Sequence, residues 1–128
     1  MTFALVLAAA AAILHVYIFS LESLAWTSDR ARATFGIATV EEAEVTKSLA
    51  YNQGFYNLFL AIATIIGIIF HLVDETTIGA TLIFAGTGSM LAAALVLLLS
   101  SPEHRSAAIK QGTLPLLAVV VLAIGLLA

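Results

Sequence analysis

Four long apolar runs divide the chain, reaching approximately from Phe3 to Trp26, Leu49 to His71, Ile78 to Ser100 and Ala107 to Ala128. A bilayer core of about 30 Å takes roughly 17 to 25 helical residues, so each run is long enough to span it. Strand-like alternation is absent and the runs far exceed strand length, which argues against an outer-membrane barrel. The pattern predicts an all-α polytopic membrane protein, a single domain over residues 1–128 with four transmembrane helices in a compact bundle. Ser23-Leu24-Ala25 has the small-x-small form of a signal-peptide cleavage site. No Lys or Arg precedes it, however, and His15 and Glu22 interrupt the apolar run, so the segment reads as a retained helix.

Composition agrees with this reading and narrows the chemistry. Hydrophobic residues make up 62% of the chain and charged ones 10%, against about 25% charged in soluble domains. Without cysteine there is no disulfide framework, no thiolate nucleophile and no cysteine-ligated metal. The net charge of −3 is spread over short loops, so neither nucleic acid nor a polybasic lipid-binding segment is implied. Gly86-Thr87-Gly88 lies inside a span and lacks the strand and downstream pattern of a nucleotide loop. His71 falls at the far end of the second helix and His104 in a loop, and His15 with Glu22 offers too few ligands for a metal. No metal and no cofactor is expected.

Arg30, Arg32 and Lys47 lie in the first loop, Arg105 and Lys110 in the third, and the second has none. Basic loops stay in the cytoplasm, so loops one and three are predicted there, with both termini and the Asp74-Glu75 turn outside. Only the first loop, Thr27 to Ser48, is extended. Thr39-x-x-Glu42 has capping-box spacing and would start a short helix at Val40 that runs into the second span, with a plain solvated loop as the alternative. Ala8 and Ala12 on the first helix, and Ala85, Gly88, Ser89 and Ala92 on the third, are expected to let helices approach closely. Such stripes leave a homo-oligomer open. Pro115 falls early in the last span, in its first turn or at a kink.

Polar side chains are costly in hydrocarbon unless they face protein or a wet cavity, and here they concentrate in two neighbouring segments. His15 and Glu22 are seven residues apart, hence about 20° apart on one helical face and roughly 10.5 Å along it. Trp26 continues that stripe to the boundary. Asn52, Gln53, Tyr56 and Asn57 open the second helix, Gln53 and Asn57 one turn apart. The first helix ends where the second begins, so Glu22 should share the depth of Gln53 and Asn57, with His15 about two turns deeper. Gln111, at the start of the last helix, would close the same space. The eight residues form a candidate ligand or proton site. Each also has a structural reading: Glu22 snorkelling to headgroups, His15 a satisfied core residue, and the amides interhelical glue.

His15-Val16-Tyr17-Ile18, Leu21-Glu22 and Trp26, then Phe35-Gly36, then Asn52-Gln53-Gly54-Phe55-Tyr56-Asn57 and Phe59-Leu60-Ala61, resemble a family of small bacterial integral membrane proteins catalogued as a domain of unknown function. The resemblance implies a four-helix bacterial inner-membrane protein and brings no substrate or catalytic role. From the residues themselves, three functions compete. One is proton-linked binding or transport of a small or amphipathic molecule. The others are a structural or accessory subunit, and a membrane-embedded acid/base enzyme acting on a lipid or isoprenoid-like substrate. Membrane lipid is the one partner expected in every case.

The predicted topology is directly measurable because the chain has no native cysteine. Single cysteines at Ser28 and Ser106 should react with impermeant reagents only from the cytoplasmic side, and one at Thr76 only from outside. The reverse labelling pattern would invert the orientation.

Overall fold

A computed structural model describes residues Met1–Ala128 and contains only helices and their connections. Helix α1 (Thr2–Phe19) runs into a π-helical turn (Ser20–Leu24). Then come α2 (Asp29–Phe35), α3 (Val40–Leu72), α4 (Thr76–Ser100), a 3-10 turn (Pro102–His104) and α5 (Arg105–Leu127). Four of these units, α1 with its π-turn, α3, α4 and the 3-10 turn with α5, are long and apolar enough to cross a membrane. Helix α1 packs on α3 and α5, and α4 packs on the same two, so the four form a closed ring in chain order. The chain is therefore a multi-pass membrane protein built as a four-helix bundle. All five basic residues lie at one end, called here the basic end.

The helices are apolar all round, and Val6, Ile13, Leu95 and Val120 among many others face outward. Lipid tails satisfy such residues as well as a protein core does, so close backbone approach rather than apolar burial decides how the helices pack. Small side chains accordingly fill the interior: Ala4, Ala8, Ala11 and Ala12 of α1, Ala61 of α3 and Ala118 of α5 are buried. On α4 the packed stripe is Gly79, Ile83, Gly86, Met90 and Ala94. The expected stripe of Ala85, Ser89 and Ala92 is exposed, and a Cβ on Gly88 would meet nothing. In a helix rich in small residues, size alone does not reveal which face turns inward. A Cβ on Gly86 would collide with the Thr64 hydroxyl and stand 2.9 Å from the Leu60 carbonyl. One on Gly79 would stand 2.6 Å from the His71 nitrogen, so glycine sets the α3–α4 contact.

Two boundaries differ from the apolar runs. Helix α3 begins at Val40 rather than Leu49, because Thr39 Oγ1 accepts the Glu42 N–H at 3.1 Å and Glu42 Oε2 accepts the Ala38 N–H at 3.2 Å. Its 33 residues extend about 50 Å, well beyond a hydrocarbon core of about 30 Å, so its first turns project from the basic end. Helix α5 begins at Arg105, which places the buried Pro115 in the helix interior. Proline has no N–H to give the Gln111 carbonyl four residues earlier.

Helix α2, which the apolar pattern did not predict, is bounded by ordinary signals. Ser28 Oγ accepts the Ala31 N–H, and Gly36 ends the helix with φ 71°. Ala31 and Phe35 bury against Ile18 and Leu21. Arg32 fastens the segment by donating to Asp29 Oδ1 at 2.6 Å and to the Thr27 and Ala38 carbonyls.

The glycine contrast on α4 is a stability test. Gly86→Ala forces an overpacked contact and should lower stability by about 1–3 kcal/mol. Gly88→Ala meets no neighbour and should be neutral or stabilise by up to about 1 kcal/mol through helix propensity. Thermal unfolding in detergent reads both, and equal effects would refute the packing assignment.

Candidate functional site

The bundle differs between its two ends. Away from the basic end, Ala4, Ala8, Ile83, Ala118 and Leu122 form one packed cluster, and Ala11, Ala12, Ala61 and Met90 continue it toward the middle. Beyond that layer, at the basic end, the helices part to leave a half-open cavity of about 600 Å³. Helix α1 and the segment after it contribute His15, Glu22 and Trp26. Helix α3 gives Glu42, Thr46, Gln53 and Asn57; α4 gives Met90, Ala93, Val96, Leu97 and Ser100; α5 gives Ala107 and Gln111. Phe35, Ile37 and His104 complete the wall.

Glu22 is held by the π-turn. Its wider winding carries Leu21 and Glu22 inward, and Gly54 of α3 lies directly against it. A Cβ on Gly54 would strike the Ser23 hydroxyl and come within 3.0 Å of the Ser23 nitrogen and 3.1 Å of Glu22 Cβ. Ser23 Oγ donates to the Tyr51 carbonyl at 2.8 Å and ties the turn to α3. One helical turn beyond Gly54, Asn57 Nδ2 donates to Glu22 Oε2 at 2.7 Å. Glu22 is only 7% exposed, and its second carboxyl oxygen has no protein partner yet is not sealed from the cavity.

His15 stands next to the packed layer and is 2% exposed. Its Nδ1 lies 2.9 Å from the Ala11 carbonyl, which requires the proton on that nitrogen. The neutral ring then presents Nε2 as an acceptor. That atom has no protein partner and also remains accessible. Gln53 and Gln111 make no side-chain hydrogen bond to the protein, so the cavity wall carries several unmatched donors and acceptors.

Six of the eight residues singled out from the sequence thus line one cavity: His15, Glu22, Trp26, Gln53, Asn57 and Gln111. Asn52 and Tyr56 do not. Each lies about 100° around α3 from Gln53 or Asn57, which turns it away from α1, and Tyr56 is 66% exposed. Trp26 reaches the cavity by another route than a continued helical stripe. The π-turn ends at Leu24, and the indole, in the turn that follows, donates to Thr46 Oγ1 at 3.1 Å and packs on Phe35 with ring centroids 5.2 Å apart. His104, which the sequence pattern places in a loop, also lines the wall, whereas His71 lies at the other end of the bundle. Glu42 and Thr46 also line the wall; they lie on the stretch from Val40 that the capping box marks as helical, before the apolar run, and so outside the polar cluster that opens the span. With α3 extended to Val40, residues 42, 46, 53 and 57 are spaced as one helical face.

A second, smaller cavity of about 220 Å³ lies beside the first, between α1, α2 and α5. The two share Phe35, Ala107 and Gln111, and the smaller one also takes in Leu14, Tyr17 and Lys110.

Fold and site together define a small multi-pass membrane protein whose four-helix bundle is closely packed at one end and hollow at the other, with a few polar groups on a largely apolar wall. The chain belongs to the family described as Protein of unknown function (DUF1304), whose model matches residues 9–123. That span includes all six cavity residues. No curated protein and no solved structure matches the chain.

Gly54→Ala should push the π-turn off α3, loosen the Glu22–Asn57 bond and lower stability by about 1–3 kcal/mol. Adding Ser23→Ala removes the nearest obstructing atom and should recover part of the loss. Unfolding temperatures of the single and double variants decide the matter; purely additive losses would contradict the contact.

Proposed function

We propose that the protein binds a small amphipathic molecule in the larger cavity, with the proton on Glu22 linked to occupancy. The observation that carries this reading is the pairing of Glu22 with Asn57 at the wall of a cavity of about 600 Å³, with one carboxyl oxygen left free. Polar groups used only to hold helices together would be matched to one another, and a ligand site needs a few convergent polar groups on a largely apolar wall. Here Gln53, Gln111 and His15 Nε2 are left for a ligand, while Met90, Val96 and Leu97 supply apolar surface. Glu22 exchanges the proton, Asn57 orients the carboxyl, and His15 takes up or passes a proton at the inner end. Binding alone needs only the cavity as it stands. Transport would further require the alanine-packed end to open.

In this reading the protein resides in a bacterial inner membrane with its basic end in the cytoplasm, and the ligand reaches the cavity from that side. The accessory-subunit reading draws support from the Glu22–Asn57 bond, which joins two helices, but it gives no reason for the empty volume beside it. Nothing in the geometry favours the enzyme reading over simple binding.

Native mass spectrometry of the purified protein tests the proposal. A copurifying small molecule should be present in the unaltered chain and lost in Ala93→Phe, which fills the cavity from α4, without a fall in melting temperature. Glu22→Gln should retain the fold and remove the pH dependence of retention. An identical bound mass in Ala93→Phe, or no bound mass at any pH, would overturn the assignment.

A further inference from the structure

The distribution of charge around the larger cavity narrows what it can hold. Two carboxyl groups line it, Glu22 deep in the wall and Glu42 from the first turn of α3. No lysine or arginine does. The five cations of the chain are placed elsewhere: Arg30 donates to the Tyr17 hydroxyl, Arg32 pairs with Asp29, Lys47 with Glu44, and Arg105 donates to the Leu98 carbonyl. Lys110, the remaining one, faces the smaller cavity. An anion entering the larger cavity would meet carboxyl groups with no lysine or arginine to offset them, only His15, whose Nδ1 is used on the Ala11 carbonyl, and His104, which lies 3.5 Å from Glu103, whereas a cation meets the free oxygen of a carboxyl group already oriented by Asn57.

The aromatic wall points the same way. Trp26 and Phe35 form a tilted pair in the cavity lining, and the indole N–H is used on Thr46, which fixes the ring. Ring faces attract organic cations, tryptophan most strongly. Apolar surface from Met90, Val96 and Leu97 lines the α4 side.

We infer, resting on the binding reading above, that the occupant is an amphipathic organic cation whose ammonium-type charge meets Glu22 and whose apolar part lies against α4. Trp26 is the only tryptophan of the chain, so its fluorescence reports cavity occupancy directly. The protein in lipid nanodiscs is titrated with octyltrimethylammonium, octanol, octanoate and octylphosphocholine, which share a chain length and differ in head-group charge. Octyltrimethylammonium should change Trp26 emission saturably and bind about tenfold more tightly than octanoate, a difference of about 1.4 kcal/mol. Glu22→Gln should abolish most of that preference, while Glu22→Asp should retain part of it.

Octylphosphocholine separates a free amine from a phospholipid head group. Weaker binding than the simple ammonium supports a free amine, because the cavity wall has no lysine or arginine for the phosphate; equal binding supports the same ammonium site filled by a head group. Octanoate binding as well as the ammonium, or a cation preference unaffected by Glu22→Gln, would overturn the inference while octanol binding keeps the cavity reading intact. Failure of all four probes to perturb Trp26 would overturn the binding reading itself.

Discussion

A carboxyl group inside a membrane bundle needs partners, and the arrangement around Glu22 follows from that requirement. Its partner is Asn57, on a neighbouring helix and 2.7 Å away, which demands that the end of α1 and the middle of α3 approach more closely than two ordinary side chains permit. Gly54 gives up its side chain to allow the approach, the π-turn swings Glu22 inward, and Ser23 locks the turn to the Tyr51 carbonyl. These three adjustments are mutually dependent. A methyl group on Gly54 would disturb the hydrogen bond one turn away without touching either of its atoms.

The same bundle applies two packing regimes along its length. Alanine and glycine bring the helices together where α1 starts and α3 ends, and the interior there is close-packed. Toward the basic end the inward residues become longer and polar, the helices no longer fill the space between them, and α2 with its Phe35 closes part of the side. His15 occupies the junction between the regimes. The cavity is therefore a product of side-chain size along α1 and α3 as much as of any single residue.

Much of this is legible in the sequence because hydrocarbon penalises polar groups so strongly that a buried histidine or glutamate stands out. Helix number and approximate span follow from the apolar runs for the same reason. Helix starts are harder to see and depend on caps: α3 begins nine residues before its apolar run, where only the Thr39-x-x-Glu42 spacing marks Val40. Which side of a uniformly apolar helix turns inward is harder still. Met90, Val96 and Leu97 carry no polar mark, and Ala85 resembles Ala94 in every respect except its neighbours. The π-turn also escapes a reading at 3.6 residues per turn, because no residue type in Ser20–Leu24 requires it; the contact with Gly54 supplies the reason.

Pro115 gives the last helix a mechanical property that α4 lacks. The rung missing between its ring and the Gln111 carbonyl lies in the interior of α5, at the level where Gln111 meets both cavities. Bending α5 there breaks one backbone bond fewer than bending α4 at a similar depth. The wall formed by α5 is thus the compliant side of the chamber, and its movement would change the separation between Gln111 and the fixed pair Glu22 and Asn57 while the alanine-packed half stays rigid.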